Sequence, residues 1–495
     1  MIRAQERMIL KGQVQLEEMV GFVRRAAREG RPIDQVERSL WQSLLALGHT
    51  LLAGYVEGVG EGDVGETLSY EGRELKRLAL KHERRYVSVF GELTVHRCVY
   101  GSRETQKHEV IPTDAVLCLP ESDFSALLQE WDQSFCVQGS YAQTRETVQR
   151  ILGLSQSVRS LEQMSISMAA DVPEFRQSQP APPAAEEGQI VVLTADGKGV
   201  PMRREAQIDP PAVRGHRTKG QKANKKRMAC VGGVYTVEPF VRTAEDVVDE
   251  ILREVRKRDR PEPCHKQLRA ELTRPIDGVE VNGKERIFEW LGQQVRWRNP
   301  DGNKPVVCVM DGERALWKTL TRTVLGVVCI LDLFHVLEYL WQAAHCFHAE
   351  GSEEAQAFVT DRLRRLLRGE AGYVIGGLKQ MATKQHLKGS RARQLSAVIG
   401  YLTRNRRFLH YDEYLAAGYP IGSGVAEGAC RHLVKDRMEL TGMRWRVPGA
   451  QAILDLRAVY VNGDWDRFQE HRIEQERRRL YPYRALVLEI RTKAA

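Results

Sequence analysis

Leu40, Leu44, Leu47, Leu51 and Leu52 recur at the spacing of one helix face, and the first 80 residues read mostly as helix until the glycines from Gly54 to Gly65. Between Arg84 and Tyr100 the pattern changes to two short β runs that meet at Gly91, a hairpin signal. Helical spacing returns from Phe124 to Ala170. Within it, Ala142–Leu152 and Val158–Met168 flank Gly153-Leu-Ser-Gln-Ser157, the pattern of a helix–turn–helix. Such a hairpin serves either as a plain packing unit or as a reader of DNA.

The stretch 173–188, with Pro180, Pro182 and Pro183, has the composition of a linker. Beyond it the periodicity alternates between strand and helix. Ile190–Thr194 is an apolar run that stops at Asp196, and Met228–Val237 is a second strand followed by a helix over Ala244–Arg256. Val306–Met310 stops at Asp311 before a helix over Arg314–Leu320. Val327–Leu331 stops at Asp332 before a helix over Phe334–Phe347. This alternation predicts an α/β domain with a largely parallel sheet. Residues 337–415 carry helical pattern only, and Gly422-Ser423-Gly424 opens a last helix through Met438. The organisation expected is a helical and small-β region over 1–172, a linker over 173–188 and an α/β core over 189–336. A helical insertion over 337–415, a return to the core over 416–460 and a helical tail over 461–495 complete it.

Composition narrows the classes. With 495 residues, 42% hydrophobic and 28% charged, the chain has material for several cores and is too apolar for wholesale disorder. No apolar run approaches the ~18 residues of a membrane span, and the start, MIRAQERMILKGQVQ, lacks the apolar stretch of a secretory signal. The 9 cysteines are scattered without a CxxC pair, which argues against a disulfide framework or a zinc ribbon and for a reducing compartment. A net charge of +9 permits a polyanionic partner without requiring one.

Ligands of open α/β sheets bind at the carboxyl ends of the strands. Asp196, Asp311 and Asp332 can therefore converge, although far apart in sequence. Glu427 lies in the first turn of the last helix. Clustered carboxylates repel one another, so such a site normally holds cations. Mg²⁺ takes one or two carboxylates plus water and phosphate oxygens, and two ions ~4 Å apart suit phosphodiester chemistry. Each acid also has a plain reading: Asp-Gly is a common turn pair, and Glu427 complements a helix dipole.

Four segments stand in order: Ala-Asp-Gly-Lys-Gly-Val-Pro-Met (195–202), Val-Met-Asp-Gly-Glu-Arg-Ala-Leu-Trp (309–317), Leu-Asp-Leu-Phe-His-Val-Leu-Glu-Tyr-Leu-Trp (331–341) and Ile-Gly-Ser-Gly-Val-Ala-Glu-Gly-Ala-Cys (421–430). With Arg437-Met438 and Gly442-Met443-Arg444-Trp445 they resemble the bacterial insertion-sequence transposases of the ISKra type, in the Mutator-like group. The resemblance covers roughly residues 84–457. It implies a ribonuclease H-like core and a DDE triad of Asp196, Asp311 and Glu427 binding two Mg²⁺ ions, with Mn²⁺ as a substitute. It also implies a supporting Asp332-x-x-His335 element, DNA partners (the element's terminal inverted repeats and the target), a homo-oligomer on that DNA, no membrane, and cytoplasmic action on the nucleoid. The paired-cysteine element of many relatives has no counterpart in Tyr100–His108. The neighbouring readings are a ribonuclease H-like nuclease or resolvase without strand transfer, and a non-catalytic DNA-binding derivative.

Nine Lys/Arg stand against two acids over Arg203–Arg227, and Pro210, Pro211, Gly215 and Gly220 make the stretch a loop. Arg214, Arg217, Lys219, Lys222, Lys225, Lys226 and Arg227 are therefore candidates for phosphate contact, with a solvated linker as the alternative. Arg431 and Lys435, four and eight residues after Glu427, are expected on the same helix face as that acid.

Overall fold

The computed structural model of the chain describes residues 2–494 apart from 81, 103–108, 204–225, 253, 254, 256–258 and 441. It divides into two compact units, one of Arg176–Gly463 and one of Met1–Phe175 with Asp464–Ala495. Among the described residues no helix is long and apolar enough to cross a membrane.

The first of these units is built on a five-stranded mixed sheet. Its strands are β1 (Ile190–Pro201), β2 (Lys226–Val237), β3 (Cys264–Leu272), β4 (Val306–Met310) and β5 (Val328–Leu331), in the order β5-β4-β1-β2-β3. The sheet is not largely parallel: β4 runs parallel to β1 and to β5, but β1–β2 and β2–β3 are antiparallel. β1 and β4 are buried on both faces, which is why they read as continuous apolar runs. β1 does not stop at Asp196 either. It pairs with β2 through twelve residues, from Ile190↔Val237 to Pro201↔Lys226, so Asp196 lies mid-strand. At Gly232 an added Cβ would fall 2.5 Å from Ile287 Cγ2, so glycine lets the Gly283–Arg298 helix lie close on the sheet.

β3 is an edge strand with polar positions at its start, and its open side is covered rather than exposed. Gln451, on the buried Val447–Val461 helix, accepts from Leu272 N and donates to Ala270 O; just beyond that helix, Asn462 does the same with Leu268 N and O. On the other side the helices Glu353–Leu367, Ala371–Lys384, Gly389–Arg404 and Tyr411–Ala416 form the insertion. Three of its tyrosines take up main-chain carbonyls at the ends of β4 and β5: Tyr401 on Asp311 O at 2.7 Å, Tyr411 on Leu331 O at 2.7 Å, and Tyr414 on Cys329 O at 3.2 Å. The insertion thus fixes the edge that carries the acids. Part of the expected linker is helical, over Val172–Ser178.

In the second unit, α1 (Ile2–Glu29) and α2 (Ile33–Val59) form a long helical hairpin. A two-residue turn at Glu71-Gly72, both with positive φ, joins the short strands Thr67–Tyr70 and Arg73–Arg77, where the sequence pattern predicts helix. His82–Ser88 and Gly91–Arg97 pair as the expected hairpin. Helices Ala126–Cys136, Tyr141–Leu152 and Val158–Ala169 are each capped by a serine, Ser125, Ser140 and Ser157, and Gly153 ends the second at φ 72. The C-terminal helices Trp465–Leu480 and Arg484–Ala494 return to this unit, with Tyr481 donating to Leu119 O at 2.6 Å.

Candidate functional site

Thr194 pairs with Val309 across parallel strands, so Asp196 and Asp311, each two residues further on, reach the same edge of the sheet. Asp332 follows directly from the Met310↔Leu331 pair, and its N–H donates to Met310 O at 2.9 Å. The three aspartates are thereby brought together at the carboxyl ends of β4 and β5.

Their partners separate their roles. Asp332 is fully buried, and its carboxylate accepts four hydrogen bonds: Phe334 N (3.2 Å) and Ser423 N (3.0 Å) at Oδ1, His335 Nδ1 (2.7 Å) and Ser423 Oγ (2.7 Å) at Oδ2. Burial would raise its carboxyl, but the bonds from His335 and Ser423 prevail and hold it below the usual range. His335 is in turn pushed up to about 9, first by its hydrogen bond to Asp332. A carboxylate offers about four lone-pair sites, and all of Asp332's are committed within the protein.

Asp196 and Asp311 retain acceptor capacity. Asp311 Oδ1 accepts from Glu313 N at 2.9 Å, and its Oδ2 takes no hydrogen bond among the described residues. Asp196 Oδ1 accepts from Gly197 N at 2.6 Å, and Oδ2 meets the Cys430 thiol at 3.2 Å. The carboxyl of Asp311 is raised, by burial first and by the charges of Asp196 and Asp332 as well, against the opposing Glu313 N–H and His335. The turn beyond it requires Gly312: φ is +94, and an added Cβ would lie 2.9 Å from Leu331 Cδ1.

Glu427 lies on the Gly424–Ala429 helix, but its side chain is outside the described residues. Cys430, three residues later, is buried against Asp196, which places this segment beside the acid pair. Burial and the Asp196 charge push its thiol well up, so it stays a protonated donor to that carboxylate. From Cys430 to Lys435 the helix is π-helical. The face that Arg431 and Lys435 are expected to share with Glu427 falls on a side chain outside the described residues. Both cations are exposed, and Arg431 sits 3.6 Å from Asp436.

Of the basic segment, Arg214, Arg217, Lys219, Lys222 and Lys225 lie outside the described residues. Lys226 and Arg227 are strand residues of β2, not loop residues. Lys226 pairs with Glu439 at 2.5 Å, and Arg227 donates to Thr273 O at 3.0 Å.

Sequence reasoning missed Ser423, Cys430, Tyr401 and Glu313. The last stands at the N-cap position of the Arg314–Thr323 helix without a capping bond from its side chain, and its Oε2 lies 3.9 Å from the position of a Cβ added at Gly197. Among the described residues no three or more His, Cys, Asp or Glu side chains are grouped to hold a metal ion. What they offer is a pair. Two carboxylates with open lone pairs and mutual repulsion fit Mg²⁺, which needs one or two carboxylates and completes its shell with water and phosphate oxygens. No family model matches the chain, and no curated protein is significantly similar to it.

Proposed function

We propose that the chain is a DNA transposase with a ribonuclease H-like core, in which Asp196, Asp311 and Glu427 hold Mg²⁺ (or Mn²⁺) while Asp332 and His335 support them. The observation that carries this reading is the contrast among the aspartates: Asp196 and Asp311 keep acceptor capacity on adjacent parallel strands, whereas Asp332 is consumed by four internal hydrogen bonds. The sheet supports it too. Three antiparallel strands in sequence order, followed by two parallel to the first, give the order 3-2-1-4-5 with Asp196 mid-way along the first strand. When bound, the metal supplies Lewis acidity to phosphate oxygens and lowers the pKa of a coordinated water.

The protein's own residues orient the site. Tyr401 fixes the main chain of Asp311, Gly312 allows the tight turn after it, and the Cys430 thiol holds one oxygen of Asp196 in place. In the proposed reaction water opens the phosphodiester at the element's end and frees a 3′-OH, which then displaces the 3′ oxygen at a target phosphodiester. No Ser or Tyr of the protein becomes bonded to DNA.

The test is a cleavage and joining assay with purified protein, Mg²⁺ and a duplex bearing the inverted repeat that flanks the reading frame. Nicked ends and joined products are expected from the wild type and not from Asp196→Ala, Asp311→Ala or Glu427→Ala. Cleavage without joining would leave a nuclease or resolvase, and DNA binding without cleavage a non-catalytic derivative.

A further inference from the structure

The α1–α2 hairpin has one apolar face more than it uses. Met8, Gly12, Met19 and Ala26 of α1 turn towards α2: Gly12 and Ala26 are buried, an added Cβ at Gly12 would lie 3.0 Å from Leu51 Cδ2, and one at Gly54 would lie 3.1 Å from Met8 Cβ. A second series, Ile9, Gln13, Leu16, Val20 and Val23, has the alternating four-and-three spacing of a coiled-coil seam, roughly a quarter turn away. Its apolar members are 42–51% exposed. On α2, Leu44 (49%) and Tyr55 (55%) lie on the same rotational side of the seam. Because the two helices are antiparallel, that puts both sets on one face of the hairpin.

We infer that this face binds the same face of a second copy of the chain, forming an antiparallel four-helix bundle with α1 of one copy over α2 of the other. Three features select that occupant. The seam spacing is that of helix against helix, with Gln13 as the single polar position that fixes register. At a rise of about 1.5 Å per residue, two helices of 27–28 residues side by side present a slab of about 40 by 20 Å. That is roughly 800 Å² per partner, the size of a standard stable interface. The charges set the pairing: α1 carries six Lys/Arg against four acids and α2 one Arg against three acids, so crossing α1 over the partner's α2 opposes unlike charge. The same geometry puts Leu16 of one copy at the height of Leu44 of the other.

Sedimentation velocity of the full chain without DNA tests this. The wild type is expected to be a dimer at micromolar concentration. Leu16→Glu with Val20→Lys, both at exposed positions, should weaken the dimer at least about tenfold with an unchanged circular-dichroism melt. Mixed Leu16→Cys and Leu44→Cys chains, differently tagged, should form a disulfide between the two variants on mild oxidation, beyond the wild-type background. A monomeric wild type, an unaffected dimer in the double variant, or Leu16→Cys chains that link chiefly to one another would each overturn the proposal. None of these readouts involves cleavage, so the interface is tested apart from the transposase reading.

Discussion

Ser423 grips Asp332 at both carboxylate oxygens, its N–H on Oδ1 at 3.0 Å and its hydroxyl on Oδ2 at 2.7 Å, across 91 residues of chain. The contact ties the loop before the Glu427 helix to the start of the helix after β5. It makes Asp332 a strut between two segments of the proposed site, with its acceptor positions taken up inside the protein. Asp332→Asn exchanges an acceptor for a donor inside this network and should destabilise the protein by about 3 kcal/mol, while cleavage by the folded fraction keeps its Mg²⁺ dependence. Asp311→Asn should do the reverse, costing no stability and abolishing cleavage. Parallel urea melts and Mg²⁺ titrations of cleavage compare the two. An inactive, stable Asp332→Asn with an active Asp311→Asn would exchange their roles.

The His335–Asp332 pair gives stability a defined pH window. His335 rises from 6.5 to about 9 in the folded protein, so its contribution is complete below about pH 6.5 and is lost as pH climbs through 9. Asp332 is held below 3.8, so its contribution is present above that value and is lost as pH falls through the lowered folded value. His335→Gln should therefore cost about 1–3 kcal/mol at pH 6, and the gap to the wild type should narrow between pH 7 and 10. Urea unfolding at pH 6, 8 and 10 measures it; a constant gap would mean that the imidazole is neutral in the fold.

β1 and β4 are the core strands read most plainly, because burial on both faces produces uninterrupted runs such as Ile-Val-Val-Leu and Val-Val-Cys-Val, whereas the His82–Arg97 hairpin is read from its two short β runs meeting at Gly91. β3 is hard to read because an edge strand carries polar residues, and the Gln451 and Asn462 amides that cover it come from far along the chain. Asp196-Gly197 reads as a turn pair, yet β1 continues through it to Pro201 because β2 lies alongside. At the site, the pairing of Asp332 with His335 is what the family resemblance implies, and their separation by three residues on one helix turn lets the two side chains meet. The contacts of Ser423, Cys430 and Tyr401 are not readable, since nothing in local pattern brings residues 90 or more apart into hydrogen-bond distance.

Asp132 is a buried carboxyl with no hydrogen-bond partner of good geometry among the described residues at either oxygen. Burial pushes it up to about 7, against a weaker opposing pull from the Gln156 amide. A carboxyl raised in the fold is more protonated there than in the unfolded chain, so it lowers stability progressively as pH rises from about 4 to 7. Asp132→Asn keeps the shape and removes the ionisation. It should raise the melting temperature at pH 8 and change it little at pH 4, as read by calorimetry. An equal effect at both values would assign the change to packing instead.

The repulsion between Asp196 and Asp311 is a cost borne by the metal-free protein. Asp311→Asn, which can still accept from Glu313 N, should stabilise that form by about 1 kcal/mol. Mg²⁺ or Mn²⁺ should raise the melting temperature of the wild type, as any ligand of the native state does, and leave the variant unmoved. Differential scanning fluorimetry with and without each ion reads both effects. A variant that melts lower without metal would show that the two carboxylates are not in conflict.

The basic segment divides into two parts that should respond differently to substitution. Lys226 and Arg227 are already engaged, with Glu439 and Thr273 O, so a phosphate would have to displace those partners. Lys219, Lys222 and Lys225, outside the described residues, stand in a stretch that Pro210, Pro211, Gly215 and Gly220 lead the sequence to read as a loop, without a single acid from Ala212 to Arg227. A cation there can reach phosphates from many directions but is poorly held against base edges. Changing these three to Gln should weaken binding to cognate and random duplexes by similar factors. It should also flatten the dependence of log affinity on log salt by up to about 0.9 for each phosphate that is no longer neutralised. Lys226→Gln with Arg227→Gln should leave that slope nearly unchanged and lower the melting temperature instead. Electrophoretic titrations at several salt concentrations, with both duplexes, separate these outcomes. Weaker binding to the cognate duplex alone, at constant slope, would move sequence reading into this segment and away from the helices that meet at Gly153.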